Sequence, residues 1–320
     1  SPKSALPSGK AADMATTHTI GLPDMDAIEP GGLFDGRRLR NGQRHAVLDK
    51  YSLEPIGEIV ETSADEIAAI VERIAGSDCV PAAADRADIL DRAAALIEAA
   101  RPRFVPLLIA EAGFTIPEAD AEVNRSVSTL KLCAEECRRI SGELIPFGAV
   151  RGQESRIGFT VRHPLGVVCA ITPFNSPVNT VLHKLGPAFA AGNAVVLKPA
   201  IATPFSASLL CNLLLEAGWP EAMLALVQGP GSRVGDALLA QPGIDHFAFT
   251  GSTGVGRHIQ SRAGLRQTQM ELGSIASTIV CADADLEKAV AKSAAAGYRK
   301  AGQVCTSVQL LHVERPVLDD

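Results

Sequence analysis

Hydrophobic positions change their spacing along this 320-residue chain, and the changes divide it into stretches of different structure. In residues 63–75, Ile67, Ile70, Val71 and Ile74 recur at i, i+3, i+4 and i+7, the interval that puts side chains on one face of a helix. Ser63 followed by Glu66 supplies a capping box, so the spacing predicts an amphipathic helix over 63–75. A second helix is expected from about Ala84 to Arg101, stopped by Pro102, and a third across AEVNRSVSTLKLCAEECRRI. From about residue 155 the stretch RIGFTVRHPLG alternates in character, which predicts an extended arm.

Short, continuous apolar runs then take over: GVVCAIT (166–172), NAVVLKP (193–199), MLALVQG (223–229) and HFAFTGS (246–252). Each is followed by a helical stretch, at spacings of roughly 22 to 30 residues, as βαβ units require. Runs that are apolar on both faces suit parallel strands covered by helices. The predicted fold class is therefore α/β, a doubly wound parallel sheet with a ligand crevice at the carboxyl ends of its strands. After Glu271 a further strand, STIVCAD, a helix over DLEKAVAKSAAAGYRK and a strand in QLLHVERP begin a second unit. This last strand is expected to lack a partner within the chain, as though the sequence broke off early.

Composition narrows the function. The chain is 47% hydrophobic but only 4% aromatic, so its core must be built from Ala, Val, Leu and Ile. A net charge of −6 without any Lys/Arg block gives no electrostatic reason to bind nucleic acid. The long uncharged run PAIATPFSASLLCNLLL holds two prolines and reads as a turn and a buried helix, so no membrane partner is expected. Seven cysteines, an odd number without a disulfide-like framework, suit a reducing, cytoplasmic setting. Six of them are read as small buried apolar residues, Cys133 and Cys137 included, since no neighbouring His or Cys completes a metal site.

Candidate chemistry collects at the strand ends. TGSTGVG (250–256) and GPGSRVG (229–235), each between a strand and a helix, can bring backbone N–H groups and a positive helix end up to a pyrophosphate, or can simply be flexible turns. Lys198 ends a buried strand, where its charge needs a ligand or an escape to solvent. Asn175, in the turn PFNSP, is either a turn residue or an amide donor aimed into the crevice. Glu271 in MELGS is a solvated acid or a general base. Cys305, in GQVCTS, becomes a nucleophile only in a pocket that favours its thiolate.

Taken in order, TPFNSPVN, NAVVLKPA, FTGSTGVG, MELGS and GQVCTS resemble the motifs of the aldehyde dehydrogenase superfamily. The resemblance implies that Cys305 is the nucleophile, Glu271 the base and Asn175 the oxyanion donor. It implies too that Ile171, Thr172, Phe174, Lys198, Gly231, Phe249, Gly251, Ser252, Val255 and Leu272 line a nicotinamide dinucleotide. Ile201 stands where many NAD-preferring relatives carry a glutamate, which leaves both NAD and NADP open. Gly254 replaces a frequent acid, and Ser274 a usual glycine. The flavour of the motifs is nearest to enzymes for lactaldehyde, phosphonate aldehydes and semialdehydes. Arg125, in AEVNRSV, is similar to arginines that meet anionic aldehyde tails, and it is also an ordinary helix arginine.

The expected organisation is a tail over 1–25 and a dinucleotide-binding domain over 26–271, which includes the N-terminal helices and an arm near 141–163. The beginning of a catalytic domain follows over 272–320. Relatives continue into a C-terminal part that supplies more of the ribose and substrate contacts and an oligomerising strand, so a homodimer or homotetramer is expected of a full-length protein. The expected reaction is NAD(P)-dependent oxidation of an aldehyde, anionic ones included, to a carboxylic acid. The alternatives are transfer of the thioester to CoA, a catalytically inactive dinucleotide-binding protein, and a thiol hydrolase.

Overall fold

The capping box at Ser63 closes as its sequence predicts: the Ser63 hydroxyl accepts from the Glu66 N–H, and the Glu66 carboxylate accepts from the Ser63 N–H at 2.8 Å. The computed structural model describes residues 21–25, 28, 31–39, 41–275 and 277–320, so most of the expected tail lies outside the described residues. Two hairpins come first, β1 (Leu33–Phe34) with β2 (Arg37–Arg38), and β3 (Arg44–Leu48) with β4 (Pro55–Val60). Helices α1 (Ala64–Ala75), α2 (Ala83–Ala99), α3 (Arg101–Ala112) and α4 (Ile116–Cys137) follow. Pro102 does not end the helical region as expected. It stands in the first turn of α3, where its missing N–H costs nothing.

The expected arm is a short hairpin of β5 (Leu144–Ile145) and β6 (Gly158–Phe159). Beyond it the chain alternates through β7 (Val167–Ile171), α5 (Asn179–Ala190), β8 (Ala194–Lys198), α6 (Pro204–Glu216), β9 (Leu224–Leu226), α7 (Asp236–Leu239), β10 (His246–Thr250), α8 (Thr253–Ala263) and β11 (Gln267–Glu271). One sheet has the order β11-β10-β7-β8-β9-β1-β2, with β7 to β11 mutually parallel and β1 antiparallel to β9. All five residues of β8 are buried, as expected of a strand covered on both faces. Truncating such a residue, Leu197 for example, to alanine costs about 2–5 kcal/mol.

β11 was not expected. Its sequence QTQME alternates exposed and half-buried positions, the signature of an edge strand with a single covered face. After it come β12 (Ser277–Val280), α9 (Leu286–Tyr298) and β13 (Leu310–Val313). The last strand does have a partner, contrary to expectation, because β13 pairs in parallel with β12 from Leu310 to Val313. Among the described residues, no helix is long and apolar enough to cross a membrane.

Parallel register fixes where the strands deliver their last residues. Ile171 lies beside Lys198, and Thr250 beside Glu271. The turns that leave β7, β8, β9, β10 and β11 therefore share one edge of the sheet, where the crevice was expected.

Candidate active site

Two adjoining clefts open at that edge. The first, of about 430 Å³, is lined by Ile171, Lys198, Gly231, Ser232, Val255 and His258 among others. Ser252 caps α8 by accepting from the Val255 N–H, which leaves the other first-turn N–H groups of the helix directed outward. Additional β-carbons on Gly231, Gly235 or Gly254 would meet no atom within 4 Å, so the backbone here forms an open cradle. Gly251 is different, for a β-carbon there would strike the ring of Phe249, itself only 4% exposed.

Lys198 is 3% exposed and donates to the carbonyl of its own neighbour Pro199 at 2.9 Å. Burial pushes its ammonium down to about 8. Thr172, whose N–H donates to Lys198 O at 3.1 Å, has a buried Oγ1 that makes no hydrogen bond. A buried cation without a carboxylate, an unpartnered hydroxyl and a helix N-terminus over a glycine cradle together fit a phosphorylated, hydroxyl-rich ligand.

The second cleft, of about 310 Å³, is lined by Phe174, Asn175, Gly251, Ser252, Glu271, Leu272, Gln303 and Cys305 among others. It gathers all three residues expected to carry chemistry. Glu271 arrives on the carboxyl end of β11, Asn175 on the turn after β7, and Cys305 on the loop before β13. That loop is folded on itself: the Ser307 hydroxyl, in a residue 5% exposed, donates to Gly302 O at 2.9 Å, and Ser307 N donates to Val304 O at 3.0 Å.

Cysteine exposure separates the nucleophile candidate from the packing thiols, with a correction. Cys133, Cys137, Cys169 and Cys211 are buried, and burial pushes the thiols of Cys169 and Cys211 up to about 12. Cys79 and Cys281, read above as buried, are exposed instead, because each sits in a connecting segment outside the core. Cys305 is exposed and stands in the cleft.

Several polar groups behind the site were not singled out from the sequence. Lys184, on α5, is 5% exposed and donates to Thr250 Oγ1 at 2.7 Å. Burial pushes it down to about 8, against the charge of Glu271. Glu122, on α4, has a wholly buried carboxylate that accepts from Ser176 Oγ, Asn179 N, Arg125 Nη2 and Lys300 Nζ at 2.6 to 3.0 Å. Burial pushes its carboxyl upward, but the Lys300 charge and these hydrogen bonds outweigh burial and hold it below the usual range. Arg125 lies across this carboxylate with its side chain 45% exposed. Glu122 and Lys300 are far apart in sequence and meet through their ion pair, while α4 also packs on α5. Gly186 permits that packing, since a β-carbon there would press on Cys133.

Residues 39–320 match the sequence model of the family described as the aldehyde dehydrogenase family. The chain belongs to that family. It is 41% identical over 296 residues to a 3-sulfolactaldehyde dehydrogenase of Priestia aryabhattai, a match covering 91% of this chain and 62% of the relative. Among solved aldehyde dehydrogenase folds, an NADP-dependent glyceraldehyde-3-phosphate dehydrogenase from Bacillus halodurans C-125, complexed with NADP, superposes with a TM-score of 0.87. It is 32% identical, over 91% of this chain and 62% of that one. PnpE, in complex with nicotinamide adenine dinucleotide, superposes with a TM-score of 0.84 at 30% identity, over 90% and 60% of the two chains. The chain thus spans about three fifths of the length of these relatives.

Proposed function

We propose that this chain carries the dinucleotide cleft and the reacting residues of an NAD(P)-dependent aldehyde dehydrogenase that makes a carboxylic acid. The observation that carries the reading is that Cys305, Glu271 and Asn175 line one cleft adjoining the glycine cradle. Cys305, as thiolate, bonds to the aldehyde carbon while the carbonyl π pair moves to oxygen. One N–H of the Asn175 amide and the Cys305 backbone N–H meet that oxyanion, where a single donor contributes about 2.7–4 kcal/mol. A nicotinamide dinucleotide held in the first cleft would supply the hydride acceptor by which the Cys305 adduct becomes a thioester. Glu271 then takes a proton from water as the water oxygen bonds to the acyl carbon. The carbon–sulfur bond breaks, and its electron pair returns to Cys305.

Lys198 and the first turn of α8 are the groups that would hold the dinucleotide, with Thr172, Phe249 and Leu272 shaping the floor. Both NAD and NADP fit a cleft that presents cationic Lys198 and has Ile201 after the strand. An aldehyde with an anionic tail is the preferred substrate class, supported by the half-exposed Arg125, which reaches the Glu122 carboxylate behind the site, and by the sulfonated substrate in the name of a relative. The thiols fit a reducing, cytoplasmic setting. Exposed Leu144, Ile157 and Phe159 on the arm support a homodimer or homotetramer.

The deciding experiment is product analysis with the protein at its natural length. Sulfonated, carboxylated and neutral aldehydes are offered with NAD and with NADP, and the acid is sought by mass spectrometry. Turnover that persists in Cys305→Ala, or that requires CoA, would overturn the reading.

A further inference from the structure

Asn175 is tied to the nucleophile loop at both of its ends. Its side-chain Nδ2 donates to Gln303 O at 2.6 Å, and its main-chain carbonyl accepts from Lys300 Nζ at 2.8 Å. A primary amide has two N–H groups, so the bond to Gln303 leaves the second one for a substrate oxygen. Lys300 is held in its turn from every side. Its ammonium donates to Glu122 Oε2 at 3.0 Å and sits 4.2 Å from the centre of the Phe114 ring. Its backbone N–H donates to Glu118 Oε1 at 2.6 Å. Glu118 and Glu122 are one turn apart on α4, so a single helix face grips both the backbone and the side chain of this residue.

The backbone shows why such a grip is needed. Lys300, Ala301 and Gly302 have φ of 50°, 54° and 76°, a run of left-handed conformation in which only the glycine is at ease. Non-glycine residues stay there only where their surroundings over-determine the conformation. The run ends immediately before Gln303, whose carbonyl fixes the Asn175 amide, and Cys305 lies two residues further on. The same Glu122 carboxylate also accepts from Ser176 Oγ and from Asn179 N, at the turn that carries Asn175 and the start of α5.

We propose that Lys300, anchored by the buried Glu122 carboxylate, is a positioning residue that sets the oxyanion amide of Asn175 against the sulfur of Cys305. This rests on the reading of Cys305 as nucleophile. It goes beyond that reading, because neither Lys300 nor Glu122 has any part in the chemical steps above. Lys300 makes no bond to the reacting atoms. Its effect is to fix the separation of two groups that do.

The test separates this role from simple support of the fold. Alkylation of Cys305 by iodoacetamide forms no oxyanion. Reversible addition of an aldehyde to the same sulfur, without any dinucleotide, forms the carbon–sulfur bond and puts the carbonyl pair and the thiol proton on oxygen. The rate of Cys305 alkylation, read by mass spectrometry, is measured with and without sulfoacetaldehyde in the full-length wild type and in Lys300→Met. Thermal melting monitors the fold.

The expected result is an alkylation rate within about twofold of wild type, but loss of aldehyde protection at concentrations that protect the wild type. With dinucleotide present, kcat falls about a hundredfold, the scale for an ångström of misplacement, while KM for the dinucleotide is unchanged. Should Lys300→Met melt early, Glu122→Gln/Lys300→Met removes both buried charges and is read in the same way. Protection and kcat at wild-type values in a folded variant would overturn the proposal alone. A wild-type Cys305 that no aldehyde protects would overturn the reading on which it rests.

Discussion

The side-chain amide of Asn175 and the main-chain carbonyl of Gln303 are joined at 2.6 Å across 128 residues of sequence. This bond joins the turn after β7 to the loop that carries Cys305, so the proposed oxyanion donor and the proposed nucleophile share one reference.

Glu271 ends β11 in the same cleft as Cys305, and its assigned task comes after the substrate has been oxidised. In Glu271→Gln, stopped-flow absorbance is expected to show a burst of reduced dinucleotide of wild-type amplitude. Steady-state turnover should then fall by about 100- to 10,000-fold, the range for loss of a general base. A burst that disappears along with turnover would move Glu271 to an earlier step.

Arg125 gives one nitrogen to Glu122 at 2.8 Å and keeps its side chain 45% exposed. Arg125→Ala should therefore raise KM for sulfonated or carboxylated aldehydes about tenfold, the scale for one charge-assisted hydrogen bond, and leave that for a neutral aldehyde of equal length in place. Equal KM changes for the two classes would make Arg125 a support for Glu122 and nothing more.

Lys198 is held down at about 8 by burial, so in the free protein it loses its proton within the range of ordinary assays. Dinucleotide held by its ammonium should bind with constant Kd below about pH 7 and weaken as pH rises through about 8, by at most about tenfold per unit. Lys198→Met should bind more weakly and without that dependence. Titration by fluorescence quenching across the range decides the matter, and parallel pH profiles in the two proteins would exclude Lys198 from the ligand contacts.

Glu111, on α3, is wholly buried against the first turn of α6, where it accepts from Phe205 N at 3.0 Å and Ser206 N at 2.7 Å. Burial nevertheless pushes its carboxyl from 4.5 up to about 7. The folded state thus holds a proton that the unfolded state has released between these two values. Its contribution is most favourable below about 4.5 and is lost as pH rises to about 7, a change of roughly 3 kcal/mol. Denaturant unfolding at either end of that window should show the wild type losing this much more than Glu111→Gln. Identical pH dependence in both would refute the assignment.

Much of this architecture was readable from periodicity. β7, β8, β9 and β10 lie inside the four apolar runs, and α1 begins at its capping box, because strands buried on both faces and an amphipathic helix leave strong local patterns. β11 was missed for the opposite reason. QTQME faces solvent on one side, so its pairing with β10 depends on a neighbour that the local sequence does not announce. Pro102 reads locally as a stop because only tertiary packing distinguishes a helix end from the first turn of the next helix. Cys305, Glu271 and Asn175 were found through motifs. Glu122 and Lys300 were not, since 178 residues separate them and each looks like an ordinary surface charge on its own.

Glu271, the base of the proposed reaction, is carried by a strand at the margin of the sheet, paired on one side with β10 so that Thr250 stands opposite it. Side chains along a strand point alternately up and down, so sliding β11 by a single residue would turn the carboxylate away from the sulfur while preserving nearly every ladder bond. On the proposed mechanism, a population mispaired in this way would look properly folded by circular dichroism and still accumulate acylated Cys305. The quality of a preparation is therefore better gauged by the fraction of molecules that release acid than by its secondary-structure content.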